Sequence, residues 1–258
     1  MRLGRTVRDT PWPHGSPCWV EVRLGDPTRA GAFYGELFGW TFFDHGPDYD
    51  HYLTARLDGR AVADIGPRPS EEAAGEAPAW LVCLAVDDAE AAADAVLKAG
   101  GGLLLPPCDV GTHGRFAVAA DPAGAEFAVW QAGEYLGAEI AGVAGSVVRY
   151  HCLSTDVEAS QGFYADVFGH TVRGAGDGGV VLELDGRPVA GLGEPPAGVP
   201  SHWTVAFGVA DTDAAVARVV ALGGSLRASP CDTLDGRCAR VADEQGTPFE
   251  LLAVGGAG

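Results

Sequence analysis

The chain has 258 residues, 17 Lys and Arg against 35 Asp and Glu, and a formal charge of −18. That charge disfavours phosphate backbones and anionic lipid as partners, while 47% hydrophobic and 20% charged residues supply a packed core rather than disorder. No apolar run approaches the roughly 18 residues a membrane helix needs, and the opening Met1–Pro13 lacks a secretory apolar segment, so a cytoplasmic protein with neither nucleic-acid nor membrane partners is expected.

The first alternating apolar stretch, Trp19–Leu24, predicts a strand leading to Asp26, which is placed to cap a helix. Ala30, Phe33, Tyr34, Leu37 and Phe38 then recur at helical spacing, and Gly39 stops the helix. Tyr52–Leu57 and Val62–Ile65 read as short strands about an Asp58-Gly59 turn. A second strand, Trp80–Val86, precedes a cap near Asp88 and an Ala-rich helix that ends at Gly100-Gly101-Gly102. That glycine triplet follows a helix, whereas a nucleotide loop follows a strand and opens one, so it is read as a helix stop. Strands are expected around Arg115–Ala119 and Glu126–Trp130, and Glu134–Gly145 is the candidate linker.

After the linker the same order returns: Val147–Leu153, a helix over Val157–Phe168, Val180–Leu184, Trp203–Val209, a helix over Ala214–Leu222, Arg237–Ala242 and Pro248–Leu252. The repetition extends to residues. Asp26…Phe33-Tyr34…Phe38-Gly39 recurs as Asp156…Phe163-Tyr164…Phe168-Gly169, and Asp58-Gly59-Arg60 as Asp185-Gly186-Arg187. Trp80…Asp88 recurs as Trp203…Asp211, and Asp121-Pro122-Ala123-Gly124 as Asp243-Glu244-Gln245-Gly246. The offset drifts only from 130 to 122, which identifies two homologous halves. The six cysteines contain no CxxC pair or zinc-type spacing and are expected to be core-filling thiols.

The FY pair in the helix, the FG at its end and the DPxG before the last strand resemble the vicinal oxygen chelate superfamily, which includes glyoxalase I, bleomycin-resistance proteins and extradiol dioxygenases. Pro17-Cys18-Trp19 and Phe38-Gly39-Trp40 resemble in particular its tandem two-domain actinobacterial form. The resemblance implies an α+β fold of four βαβββ modules forming two tandem, incompletely closed β-barrel cups. The boundaries it suggests are a tail at 1–14, a first domain at 15–133, a linker at 134–145 and a second domain at 146–255. Duplication would satisfy within one chain the pairing that single-domain relatives make across a dimer, so a monomer is expected, with a homodimer as the alternative.

Metal-dependent members hold their ion through His and carboxylate side chains facing the cup. The positions implied here are Trp19, Leu81 and Ala128 in the first half, and Arg149, Thr204 and Glu250 in the second. Only Glu250 is a ligand type, and no cofactor is expected. A shifted set of His151, His202 and Glu250 is the alternative, for one divalent Fe, Mn, Ni or Zn ion in the second domain. The metal-free reading makes His151 an acid/base, helped by Glu250 and by Arg149 as an anion-steering group. Its structural competitor is a plain pairing of His151 with Glu250 across neighbouring strands.

Glu21 occupies the place of His151 in the first half, and with Trp19, Trp80, Trp203 and Thr204 it is a candidate ligand contact. Trp130 is a further aromatic at a strand end. His45 and His51 lie in a polar loop and are expected to face solvent, and His113 is expected in a surface turn, with a loop at the edge of a cup as the alternative. Taken with these residues, the resemblance implies a small-molecule tailoring enzyme of the lyase, isomerase or cyclase kind, acting on an aromatic or polyketide-like metabolite of bacterial secondary metabolism. A binding protein of the bleomycin-resistance type and a metal-dependent dioxygenase or glyoxalase-like lyase are the alternatives.

Overall fold

The structure, a computed structural model, describes residues 1–68, 77–175 and 179–255. The first half contains β2 (Pro17–Leu24), α1 (Pro27–Phe38), β3 (Thr41–Asp44), β4 (Leu53–Leu57), β5 (Arg60–Pro67), β6 (Leu81–Ala85), α2 (Ala89–Lys98), β7 (Gly102–Val110), β8 (Gly114–Ala120) and β9 (Glu126–Ala132). The second half repeats it as β11 (Val147–Leu153), α3 (Val157–Phe168), β12 (Thr171–Gly174), β13 (Val180–Leu184), β14 (Arg187–Gly193), β15 (His202–Val209), α4 (Thr212–Ala221), β16 (Ser225–Thr233), β17 (Gly236–Ala242) and β18 (Pro248–Ala253). Each half forms one eight-stranded sheet, ordered β3-β4-β5-β2-β6-β9-β8-β7 and β12-β13-β14-β11-β15-β18-β17-β16. Both are mixed sheets curled but not closed into barrels, so the fold is α+β with two tandem cups built of paired βαβββ modules, as the family resemblance implies. A two-stranded ribbon completes the fold, β1 (Thr6–Val7) pairing with β10 (Ile140–Ala141), so the N-terminal stretch is fastened to the segment between the halves.

Local chemistry explains the four helices. Asp26, Asp88, Asp156 and Asp211 each accept a backbone N–H of the first turn, satisfying donors that a helix start leaves open. Gly39 and Gly169 end α1 and α3 at φ 74° and 71°, a left-handed conformation that costs a side-chain-bearing residue.

Helices α1 and α3 pack on their own sheets and also reach the sheet of the other half. Phe38 and Tyr34 of α1 pack on Phe207 and Phe249 of the second sheet, while Phe163 and Phe168 of α3 pack on Phe127 of the first. The DPxG-type turns tie the two halves together at these helices. Asp121 holds its own turn through the N–H groups of Ala123 and Ala125, and its other oxygen accepts the Ser160 hydroxyl of α3 at 2.7 Å. Asp243 repeats the device with Gln245 and Thr247, accepting the Tyr34 hydroxyl of α1 at 2.9 Å. A single core spans both halves as a result.

Two expectations need correcting. Cys18, Cys83, Cys152 and Cys238 are buried free thiols, but Cys108 and Cys231 are exposed, because they sit on the irregular edge strands β7 and β16. His45 is half-buried at the cavity mouth rather than free in solvent. Pairing of Asp44 with Leu53 continues β3 and β4 far enough to lay its ring over Thr54. His51 is exposed and pairs with Asp44, as its polar loop predicts.

Candidate functional site

Strand register defines what each cup presents. In the first sheet Glu21 of β2 stands opposite Asp64 of β5, Asp64 opposite Thr54 of β4, and Trp19 of β2 opposite Cys83 of β6. Side chains two apart on a strand share a face, so Trp19, Glu21, Thr54, Asp64 and Cys83 converge on one surface. In the second sheet the corresponding positions carry Arg149, His151, Val181, Gly191 and Ala206. Identical scaffolds thus hold different chemistry.

The first surface is the floor of a cavity of about 450 Å3, within the range of small-molecule sites. Its walls are aromatic, with Trp19, Tyr52, Phe116, Trp130 and Tyr135, and Tyr135 comes from the segment linking the halves. Trp19 meets Tyr135 edge-on at 5.2 Å, and the Trp130 indole N–H donates to the Tyr135 carbonyl. Tyr52 lies flat against Gly66, where a Cβ would collide with the ring. The mouth carries His45, Tyr49 and His113, with Tyr49 stacked on His113 at 4.9 Å.

The floor is electrostatically unusual. Burial pushes the Asp64 carboxyl up to about 7, against the pull of hydrogen bonds from Thr54 and Trp19. Burial and the adjacent Asp64 push Glu21 up to about 7, with Arg23 pulling the other way. Trp19 Nε1 donates to Asp64 Oδ2 at 3.2 Å and Thr54 Oγ1 donates to Oδ1 at 2.7 Å. Two carboxyls at paired register positions on this floor, both raised to about 7, favour one of them keeping its proton near neutrality. Tyr52 and Tyr135 are raised by burial and keep their phenolic protons.

In the second cup the structure joins Arg149 and Glu250 in an ion-pair cluster. Arg149 donates to Glu250 at 2.5 Å and to Asp235 at 3.2 Å, and Arg240 reaches the other Glu250 oxygen at 3.2 Å. The Met1 amino group also pairs with Asp235. His151 is half-buried beside this cluster, over Gly191 and Gly193. Burial lowers its pKa, with Glu250 raising it and Arg149 lowering it further. Thr204 donates to the His151 carbonyl at 3.5 Å.

The remaining candidates are dispersed. Trp80 is buried between Tyr34 and Phe207, and Trp203 donates to the Tyr164 hydroxyl, both in the shared core. His202 is turned to the Pro200 carbonyl at 2.8 Å. Of the sequence candidates, Trp19, Glu21 and Trp130 line the first cavity, and His113 lies at its edge rather than in a plain surface turn. Sequence reasoning missed Asp64, Thr54, Tyr52, His45 and Tyr135. Asp64 carried a readable signal, an acid inside the apolar strand Ala61-Val62-Ala63-Asp64-Ile65.

The metal implied by many members of the resembled superfamily does not fit the residues present. Its first-half positions carry Trp19, Leu81 and Ala128, and in the second half the Glu250 carboxylate is already held by two guanidinium groups. Among the described residues no three His, Cys, Asp or Glu side chains are grouped to hold an ion.

Comparison with known proteins agrees with this architecture. The family model described as the Glyoxalase/Bleomycin resistance protein/Dioxygenase superfamily matches residues 18–129 and again 147–251. "Putative glyoxylase CFP32" of Mycobacterium tuberculosis is 37% identical over 246 residues, 92% of this chain and 94% of that one. The anthracycline biosynthesis protein DnrV of Streptomyces peucetius is 37% identical over 255 residues, 92% of this chain and 93% of that one. The Mn(II)-bound glyoxalase of Novosphingobium aromaticivorans superposes with a TM-score of 0.65 at 17% identity, over 93% of this chain and 82% of that one, a likeness of fold. With the family model matched in both halves and relatives of this identity along nearly its whole length, the chain belongs to the glyoxalase/bleomycin-resistance/dioxygenase superfamily.

Proposed function

We propose that this protein is a tailoring enzyme of bacterial secondary metabolism that binds a flat, polyketide-like aromatic in the first cup and moves protons on it. The carrying observation is the paired Glu21 and Asp64 carboxyls on the floor of an aromatic-walled cavity. The relatives in anthracycline biosynthesis support the substrate class. Near neutrality such a pair supplies one carboxylate and one carboxylic acid. The carboxylate takes a proton from an activated carbon or phenol, and the acid returns one elsewhere, which suits isomerisation, cyclisation or dehydration. Trp19 and Trp130 offer faces on which a ring system stacks. The donor set supports a metal-independent reaction, and no step is routed through an ion.

A second reading is sequestration without chemistry. Asp48, Asp50 and Asp109 add carboxylates around the mouth, and no Lys or Arg lines the cavity among the described residues, which suits a cationic aromatic ligand. His151 with Glu250 and Arg149 is the acid–base group of the other cup and serves as the comparison. Titrating an anthracycline against tryptophan fluorescence, with chromatography for a new product, separates the cases. Glu21→Gln is expected to abolish turnover and His151→Ala to leave binding in place. Loss of binding and turnover in His151→Ala, with Glu21→Gln unaffected, would move the site to the second cup. Quenching with no product under any condition would favour sequestration.

A further inference from the structure

We propose that Asp64, Thr54 and His45 form a proton relay joining the carboxyl pair on the cavity floor to solvent at the cavity mouth. The inference rests on the acid–base reading of the first cup and adds the route by which that pair is recharged. Three neighbouring strand segments set the chain of contacts. Asp64 Oδ1 accepts from the Thr54 hydroxyl at 2.7 Å, and the same oxygen of Thr54 lies 2.8 Å from His45 Nε2. Thr54 is buried, Asp64 and His45 are half-buried, and His45 lies at the mouth beside Tyr49 and His113.

Donor chemistry gives the relay its direction. The Trp19 indole is only a donor, so Asp64 Oδ2 is held as an acceptor and Oδ1, facing Thr54, is the oxygen left to carry a proton. The Thr54 hydroxyl both gives and receives. With Asp64 ionised, Thr54 donates to it and accepts from His45 Nε2–H. With Asp64 protonated, Asp64 donates to Thr54, whose proton turns to His45 Nε2, and that nitrogen must then be bare. In a full transfer the imidazolium Nε2–H and the Thr54 O–H break while a new Thr54 O–H and the Asp64 Oδ1–H form. One proton moves inward, the ring becomes neutral, the carboxylate becomes an acid, and nothing is oxidised or reduced.

The surroundings suit this exchange. Glu21 from β2 and Tyr135 from the linking segment face Asp64, and the Tyr135 hydroxyl is 3.5 Å from Thr54 Oγ1. Asp44, Arg56 and His113 surround His45, and burial with His113 and Arg56 holds its pKa below the ordinary histidine value against a contrary pull from Asp44. The second half lacks the inner two groups of the device, because Gly191 and Val181 stand where Asp64 and Thr54 do.

Nitrogen-15 NMR of histidine-labelled protein between pH 5 and 9, with no ligand added, tests the relay. His45 is expected to carry its proton on Nε2 at high pH and to move it to Nδ1 as Asp64 takes up a proton, so the two ring nitrogens exchange their shifts. Thr54→Val is expected to lose this switch and Thr54→Ser to keep it. Asp64→Asn, which retains a hydrogen-bonding amide, is expected to show one tautomer throughout and serves if Thr54→Val fails to fold. A single His45 tautomer across the range in the unaltered protein, or an undiminished switch in either Thr54→Val or Asp64→Asn, would overturn the relay. Since the readout contains no ligand, its failure leaves the binding reading standing, and a failure of ligand binding leaves the relay standing.

Discussion

Replacing Asp64 by Asn is expected to stabilise the protein, by an amount that grows with pH. In the unfolded chain this carboxyl releases its proton near 3.8, and in the folded protein near 7. Between those values the native state holds more protons than the unfolded one, so raising the pH costs stability. Below about pH 4 both states are protonated and the cost vanishes; above about 7 it is fully present and level. At 1.36 kcal/mol per tenfold change in acidity, the full displacement corresponds to about 4 kcal/mol. Because Asp64 is half-buried and open to cavity water, about 2 kcal/mol is the realistic size of the effect. Asn retains an oxygen for the Trp19 N–H and an amide for Thr54, so little packing is lost. Urea unfolding of both proteins from pH 4.5 to 8.5 measures the difference directly. The gap should open from about 0.5 kcal/mol at the acid end to about 2 kcal/mol at the basic end. A variant less stable at pH 8, or a gap independent of pH, would refute the claim that this charge is kept at a cost to folding.

Other substitutions probe the frame around the site. Tyr34→Phe and Ser160→Ala remove the equivalent donors to buried Asp243 and Asp121, and each should cost about 1–3 kcal/mol in denaturant unfolding. Arg149→Ala leaves Glu250 with Arg240 alone, and should destabilise by about 3 kcal/mol and raise the His151 pKa, as read by proton NMR. Residues 15–133 expressed alone should be insoluble, because the surface around Phe127 is covered by α3 of the other half. Elemental analysis of protein purified without chelators should find no stoichiometric transition metal. An ion lost in Glu250→Ala would reverse that reading.

Local patterning made most of the fold legible. Helix caps, FG stops and the two Asp-Gly turns are written in short range, and Asp58 and Asp185 both adopt φ 50° before a glycine. The edge strands β7 and β16 were hidden by their prolines, Pro106, Pro107 and Pro230, which an edge strand with register shifts tolerates and a central strand does not. The contact between the halves was not readable, since Tyr34 and Asp243 meet only once the two halves have packed together.

The site was half legible. Trp19 and Glu21 stand out on one strand, but their meaning depends on β5 and β4 lying beside β2, a pairing that brings Asp64 and Thr54 to Glu21 from some 30 to 40 residues away. Attention to repeated positions drew the eye to Arg149, His151 and Glu250. What sets the first cup apart is an acid where its repeat has Gly191, and a tyrosine, Tyr135, from outside the repeat altogether.

The location of ligand binding is tested most directly by the six tryptophan indole N–H signals together with the histidine ring signals, recorded as an anthracycline is added. Trp19, bonded to Asp64, and Trp130, bonded to the Tyr135 carbonyl, are predicted to shift with the same saturation curve while the His151 ring stays in place. Shifts confined to His151 and its ion-pair neighbours, with Trp19 and Trp130 unmoved, would contradict a binding site in the first cup.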